Sequence, residues 1–150
     1  MISKEPFSTE LYTLVRKNMK GMYEGSGMGW VRADKIEEME DDELSYFVAR
    51  EGDQLLGFVS FMHTEEEEKE VVYLYELQVG KGFQGEGLGK ELMNIVIAEA
   101  QKSGKPIMLT VFLMNVKAVE FYTKIGFSRA EKGPEVGRGV RGWMQMVLSP

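Results

Sequence analysis

The chain has 150 residues, of which 43% are hydrophobic and 28% are charged. This composition is typical of one globular domain spanning residues 1–150 and argues against disorder. The chain contains no cysteine, which excludes disulfides, cysteine-ligated zinc and thiol catalysis, and we expect no metal site. The formal net charge of −6 disfavours a nucleic-acid partner. Neither a leader nor a run of membrane-spanning length is visible, so we expect no membrane partner and an intracellular protein, cytoplasmic or nuclear.

The first half of the chain begins with helical spacing and then changes to strand spacing. Apolar residues from Leu11 to Met22 recur with a helical period after a capping Ser8, and the glycine-rich residues 21–29 are expected to end this helix. A short polar helix is predicted over residues 33–39. The period then becomes two, which predicts three strands, over residues 45–50, 54–62 and 71–79.

The second half alternates between helices and strands. The glycine-rich residues 80–89 precede an amphipathic helix that ends near Gly104. A buried strand over residues 107–113, a short helix capped by Asn115 and a last strand over residues 142–148 follow. The order predicts a mixed α/β fold whose central sheet is antiparallel in its first half, contains a βαβ unit in its second half and is flanked by helices.

A glycine-rich turn between a strand and a helix is an anion site, because backbone N–H groups and the positive end of the helix face the ligand. Residues 80–85, GKGFQG, match the dinucleotide fingerprint, but the next strand lacks the acidic residue that this class requires. A Walker phosphate loop fails as well, because Glu91 stands at the Ser/Thr position. Residues 84–89, QGEGLG, fit the pattern (Arg/Gln)-x-x-Gly-x-Gly/Ala.

This loop resembles the acetyl-CoA pyrophosphate loop of the GNAT N-acetyltransferases, and the later Asn115-x-x-Ala118-x-x-Phe121-Tyr122 is similar to their second cofactor element. Further blocks narrow the resemblance to the D-type N-alpha-acetyltransferases, which acetylate the α-amino group of histone tails that begin Ser-Gly-Arg-Gly. These blocks are Met22-Tyr23-Glu24, Gly29-Trp30, Glu37-Glu38-Met39, Asp41-Asp42, Tyr73-x-Tyr75-Glu76-x-Gln78, Gly87-Leu88-Gly89-Lys90 and Leu109-Thr110-Val111-Phe112. The resemblance implies the GNAT fold and acetyl-CoA as co-substrate.

The resemblance also implies roles for individual residues. Glu76, in an otherwise apolar and aromatic strand, is the candidate base, directly or through a water. Tyr73 and Tyr75 would lie beside the reacting amine, and Tyr122 would protonate the sulfur or donate a hydrogen bond to it. Simple pleating places both tyrosines opposite Glu76, so we expect a bulge or splay in this strand. The residues implied for acetyl-CoA binding are Leu77, Gln78, Val79, Gln84, Gly85, Glu86, Gly87, Leu88, Gly89, Lys90, Thr110, Asn115 and Tyr122.

The acceptor implied by the resemblance is a basic protein N-terminus, bound by Tyr23, Trp30, Tyr73, Tyr75 and Trp143. Acidic clusters over residues 37–43 and 65–70 are either solvated faces or attract such a peptide. Met28, Thr64 and Trp143 differ from the Trp, Asp and Tyr of D-type enzymes, although Glu65 could substitute for the Asp. Another N-terminus, a lysine side chain, a small-molecule amine and a non-catalytic acyl-CoA-binding module remain alternatives. A monomer is favoured.

Overall fold

The structure of the chain is a computed structural model that describes residues 1–130 and 142–150. The helices are α1 (Thr9–Gly25), α2 (Arg32–Met39), α3 (Leu88–Ser103) and α4 (Val116–Ile125). The strands are β1 (Ile2–Lys4), β2 (Ser45–Glu51), β3 (Gln54–Glu66), β4 (Lys69–Val79), β5 (Ile107–Phe112), β6 (Ser128–Arg129) and β7 (Trp143–Leu148). These described strands form one sheet in the order β1-β2-β3-β4-β5-β7-β6.

The sheet changes character between its two halves. Strands β1 to β4 pair antiparallel with their neighbours. β4 then pairs parallel with β5, and α3 is the connection between these two strands. β7 lies antiparallel between β5 and β6. The predicted antiparallel first half and the βαβ unit of the second half are therefore confirmed.

Local differences separate the predicted elements from the observed ones. β1 has 3 residues and β6 has 2, which is too short for an alternating pattern to be visible in the sequence. α1 does not end at Gly21 but continues to Gly25, because one glycine costs a helix only about 1 kcal/mol. The acidic residues 65–70 are mostly strand, and only Glu67 and Glu68, both with positive φ, connect β3 to β4.

Helices cover both faces of the sheet. On one face, α1 and α2 pack over Val48 and Phe58, and on the other, α3 and α4 pack over Ala49 and Val59. Each large apolar side chain buried in these clusters contributes roughly 1.5–3 kcal/mol relative to exposure. Within the described ranges, no helix combines the length and the apolar character needed to cross a membrane. The cluster beneath α3 and α4 includes Leu74 and Leu109 and so holds the middle of the sheet, where β4 and β5 meet, in place.

Gly57 determines how closely β3 supports the end of β4. It lies opposite Val79, and a Cβ atom at Gly57 would stand 2.5 Å from the carbonyl oxygen of Gln78 and 3.2 Å from the Cα of Val79. We therefore expect Gly57→Ala to lower the free energy of unfolding by about 1–3 kcal/mol, measured by urea denaturation.

The control is Gly21→Ala in α1, where an added Cβ would meet no described atom within 4 Å. This change should raise the free energy of unfolding by about 0.5–1 kcal/mol, because alanine loses less conformational entropy in a helix than glycine does. Equal stability of the two variants would contradict the close β3–β4 approach at Gly57.

Candidate active site

The candidate site lies where β4 and β5 stop pairing. The two strands share three residue pairs, ending at Leu74 with Leu109. Beyond that point β5 continues only beside β7, and β4 continues beside β3. A cavity of about 360 Å³ opens between them. Its lining includes Met19, Tyr23, Met28, Lys35, Glu38, Tyr73, Leu74, Tyr75, Glu76, Leu77, Gln78, Thr110, Val111, Phe112, Asn115, Ala118, Tyr122 and Trp143.

A β-bulge in β4 shapes this cavity. Ser60 pairs with Glu76, and the next residue of β3, Phe61, pairs with Leu74, so Tyr75 is an extra residue in β4. The bulge predicted from the sequence is therefore confirmed. It explains how Tyr73, Tyr75 and Glu76 all reach the same cavity although strict alternation would separate them. The Tyr73 and Tyr75 rings lie 5.1 Å apart.

Glu76 is the buried carboxylate of the cavity, with a relative exposure of 8%. Its Oε1 accepts a hydrogen bond from Gln78 Nε2 at 2.8 Å, and its Oε2 lies 2.6 Å from Lys35 Nζ. Gln78 in turn accepts a hydrogen bond from Asn18 Nδ2 at 3.0 Å. Both carboxylate oxygens are therefore fixed, and Gln78, expected as a cofactor contact, also holds Glu76 in position.

Lys35 makes the surroundings of Glu76 more polar than its strand suggests. Its Nζ also lies 2.6 Å from Glu38 Oε2 and 3.1 Å from the Tyr23 hydroxyl. Burial lowers the pKa of Lys35, but Glu76, Tyr23 and Glu38 raise it by more, so the net pKa stands well above its usual value. The helical spacing of Lys35 and Glu38 was visible in the sequence, but nothing there indicated that α2 packs next to β4.

The aromatic side chains of the predicted acceptor site divide into two groups. Tyr23 and Trp143 line the cavity together with Tyr73 and Tyr75. Burial first, and then the charge of Glu76, raise the pKa of Tyr23. Trp30 lies behind this wall instead: its ring packs 5.0 Å from that of Tyr23, and its Nε1 donates to the Tyr12 hydroxyl at 2.9 Å. Trp30 therefore supports the site without lining the described cavity.

The two acidic clusters also differ in whether they contribute a residue to the cavity. Among the described residues 37–43 and 65–70, Glu38 alone belongs to the cavity lining. Thr64 and Glu65 lie near the far end of the β3–β4 hairpin, where Glu65 pairs with Glu70. Glu65 therefore does not belong to the described cavity lining, and its predicted role in place of the second acidic residue of D-type enzymes stays a prediction.

The glycine loop, residues 84–89, leads into α3 with an open backbone. Gly85 and Gly87 have φ values of 82° and 86°, a region that favours glycine. A Cβ atom at either position would meet no described atom within 4 Å, and no side chain caps the first turn of α3. The backbone N–H groups are thus free to bind phosphate oxygens at the positive end of the helix. The loop fits the pyrophosphate of CoA.

The side chains around this loop have distinct roles. Gln84 Nε2 donates to the Val79 carbonyl at 3.0 Å, so Gln84 shapes the loop. Leu88 packs against the core between the sheet and α3. Gly89 lies next to α4, since a Cβ atom there would be 3.6 Å from the Phe121 ring, an ordinary van der Waals distance. The remaining predicted loop residues, Glu86 and Lys90, are exposed at its rim.

Residues from β5 and α4 close the other side of the cavity. The Thr110 hydroxyl lies 2.5 Å from that of Tyr73 and bridges the parted strands. Asn115 accepts from the Ala118 backbone N–H at 3.3 Å and caps α4, as predicted. Burial, and then the charge of Glu76, raise the pKa of Tyr122 well above its usual value. Tyr122 belongs to the cavity lining, where a ligand can reach it.

The cleft fits one extended ligand that reaches from the loop to Glu76. After Leu74, β4 has no partner strand on its β5 side, so the backbone of Leu77 and its neighbours is free to pair with an extended amide-containing arm. The described part of the chain contains no group of three or more His, Asp or Glu side chains placed to hold a metal ion. The anion loop, the free strand edge and the buried carboxylate together are the features expected of an acyl-CoA site.

Comparison with known proteins agrees with this class. The sequence model of the acetyltransferase (GNAT) family matches residues 10–127. The chain therefore belongs to the GNAT acetyltransferases and has their fold. Acetyl-CoA, the co-substrate of this family, fits the loop and cleft described above.

Individual relatives extend this comparison. An uncharacterized N-acetyltransferase of Methanocaldococcus jannaschii is 34% identical over 113 residues, which cover 73% of this chain and 47% of that protein. N-alpha-acetyltransferase 40 of Saccharomyces cerevisiae is 30% identical over 138 residues, which cover 79% of this chain and 48% of that protein. The chain thus spans about half the length of these curated relatives. A solved Bacillus subtilis acetyltransferase in complex with CoA is 20% identical and shares the fold, with a TM-score of 0.67 over 99% of this chain and 97% of that one.

Gly87→Val tests the loop as the CoA site. The side chain would fill the space that the pyrophosphate needs and strain a backbone with a φ of 86°. The matched control is Gly104→Val at the other end of α3, with a φ of 67° and no described atom within 4 Å of an added Cβ. Both variants should lose similar stability, but only Gly87→Val should weaken CoA binding, by about tenfold or more in calorimetry. Equal CoA affinity of the two folded variants would show that the loop does not bind CoA.

Proposed function

We propose that the protein transfers the acetyl group of acetyl-CoA to the α-amino group of a protein N-terminus. The observation that carries this proposal is Glu76, a buried carboxylate at the floor of a cavity that opens beside the CoA loop. The relation to N-alpha-acetyltransferase 40 of yeast supports the α-amino group as acceptor.

The side chains of the cavity have the chemistry that this reaction needs. Acetyl-CoA supplies an activated thioester carbonyl. Glu76 orients the acceptor ammonium and takes up its proton, directly or through a water, so that a nitrogen lone pair becomes available. Tyr122 keeps its proton at neutral pH because its pKa is raised, and it donates a hydrogen bond or a proton to the sulfur that leaves. The nitrogen–carbonyl bond forms, the carbon–sulfur bond breaks, and CoA thiol and an amide result.

The walls of the cavity favour a small and cationic peptide start. Tyr23, Tyr75 and Trp143 narrow the mouth, and a Ser-Gly start is small and flexible enough to pass. Glu38 places a second carboxylate in the lining. The net charge of −6 adds a long-range attraction for a basic residue farther along the peptide, which salt weakens.

Glu76→Gln tests the proton acceptor. The change keeps the shape of the side chain and leaves Lys35 paired with Glu38, so the fold and CoA binding should survive. We expect turnover to fall on the order of 10²-fold or more. The wild-type rate should rise with pH through the pKa of the peptide amine, roughly 7.7–8.0. A near-normal rate and pH profile in the variant would assign the proton to solvent or to another group.

Peptide choice tests the acceptor. We expect Ser-Gly-Arg-Gly peptides to react faster than Met-Asp-Glu-Leu peptides, with a difference that narrows as salt is added, because screening shortens the reach of the protein's net negative charge. The assay is CoA release, and a peptide with a blocked N-terminus is the control. Equal rates on both open peptides at every salt concentration, or reaction of the blocked peptide at an internal lysine, would refute the proposed acceptor.

A further inference from the structure

Lys35 is a buried lysine in the wall of the catalytic cavity, with a relative exposure of 7%. Its ammonium contacts three acceptors, Tyr23 from α1, Glu38 from α2 and Glu76 from β4, at 3.1, 2.6 and 2.6 Å. An ammonium has three N–H donors, so Lys35 has none left for a substrate. Burying such a charge costs several kcal/mol unless its partners are well placed. Lys35 therefore organises the cavity wall and does not contact the acceptor.

The charge of Lys35 is permanent at working pH, because its pKa is raised above the usual value despite burial. The ionisable groups that interact with it are Glu38, Glu76, Tyr23 and Tyr46, and Glu76 in turn interacts with Tyr122. Burial is the first cause that raises the pKa of each of these three tyrosines, so the phenols are neutral near pH 7. The charges in the described lining are therefore those of Lys35, Glu38 and Glu76.

These charges do not cancel. Two carboxylates face one ammonium, which leaves one negative charge in a lining that is otherwise neutral within the described residues. Lys35 binds Oε2 of both carboxylates, and the Glu38 side chain is 44% exposed. The cavity thus attracts one additional cation. An amine acceptor enters as an ammonium and leaves as a neutral amide, so the attraction disappears with the reaction.

We propose that Lys35 is the positioning residue of the acceptor site. It fixes Glu76 and Glu38 as a pair and neutralises one of their two charges, so that the site binds one ammonium and releases the amide. This inference rests on the proposed amine acetylation and specifies how the amine is recognised.

The first test compares Lys35→Met with Lys35→Arg. Without a cation between them, the two carboxylates repel each other and one of them takes up a proton at higher pH. The rate depends on two deprotonations, that of the peptide amine and, at lower pH, that of the carboxylate pair. The lower break of the pH profile should lie about one unit or more higher in Lys35→Met than in wild type, so that kcat below the break falls about tenfold or more. Lys35→Arg keeps the charge and should keep the wild-type break even if kcat falls. An unshifted lower break in Lys35→Met would overturn the proposal.

The second test removes the uncompensated charge and leaves Lys35 in place. Glu38→Gln should raise KM for an open peptide about tenfold and change kcat by less than about threefold. Glu37→Gln removes the same charge from an exposed position of the same helix, outside the cavity lining, and should change KM by less than about twofold. Equal KM values in these two variants would overturn the proposal.

A readout without turnover separates this inference from the proposed function. Carboxyl ¹³C NMR of glutamate-labelled wild type and Lys35→Met, assigned with Glu76→Gln and Glu38→Gln, follows the titration of both carboxyl groups directly. One of them should titrate at least about one pH unit higher in Lys35→Met, and an unchanged titration in the folded variant would refute the role of Lys35. If wild type acetylated no amine, the proposed function would fail, and this titration would still decide whether Lys35 positions the pair.

Discussion

Beyond Leu74, β4 and β5 no longer pair, because β5 follows β7 while the extra residue Tyr75 changes the course of β4. This parting is the constraint on which the site depends. It leaves one edge of β4 without a strand partner, opens the cavity and directs the end of β4 into the glycine loop. Helices pack on both faces of the sheet, so the hydrophobic core remains buried although the two strands separate.

The opening also places charged side chains in the interior of the protein. Their loss of hydration is unfavourable, and a connected network of hydrogen bonds compensates for it. Asn18, Gln78, Glu76, Lys35 and Glu38 form a continuous series of hydrogen bonds from α1 through β4 to α2. Electrostatic interactions are stronger in such a partly buried site than in water. The groups that hold the structure around β4 are therefore the same groups that set the charge of the cavity.

Much of the fold could be predicted because its signals are local. The helix that Asn115 caps, the strand that carries Glu76 and the glycine loop of residues 84–89 follow from spacing and turn residues. Even the bulge was predictable, since Tyr73, Tyr75 and Glu76 could not otherwise share a site. Lys35 was not predictable, because its partner Glu76 lies 41 residues away and no local pattern encodes that contact. The position of Trp30 behind Tyr23 was not predictable for the same reason, because it depends on how α1 and α2 pack.

The central claim is that acetyl-CoA and the acceptor amine meet between β4 and β5 at Glu76. A crystal structure with a CoA–peptide conjugate, in which the acetyl unit joins the CoA sulfur to the peptide nitrogen, tests it most directly. We expect the pyrophosphate on the backbone of residues 84–89, the sulfur beside Tyr122, and the peptide nitrogen within about 3.5 Å of Glu76 or one water away from it. A conjugate that did not occupy the gap between β4 and β5, or whose peptide nitrogen lay away from Glu76 and Tyr23, would contradict the account.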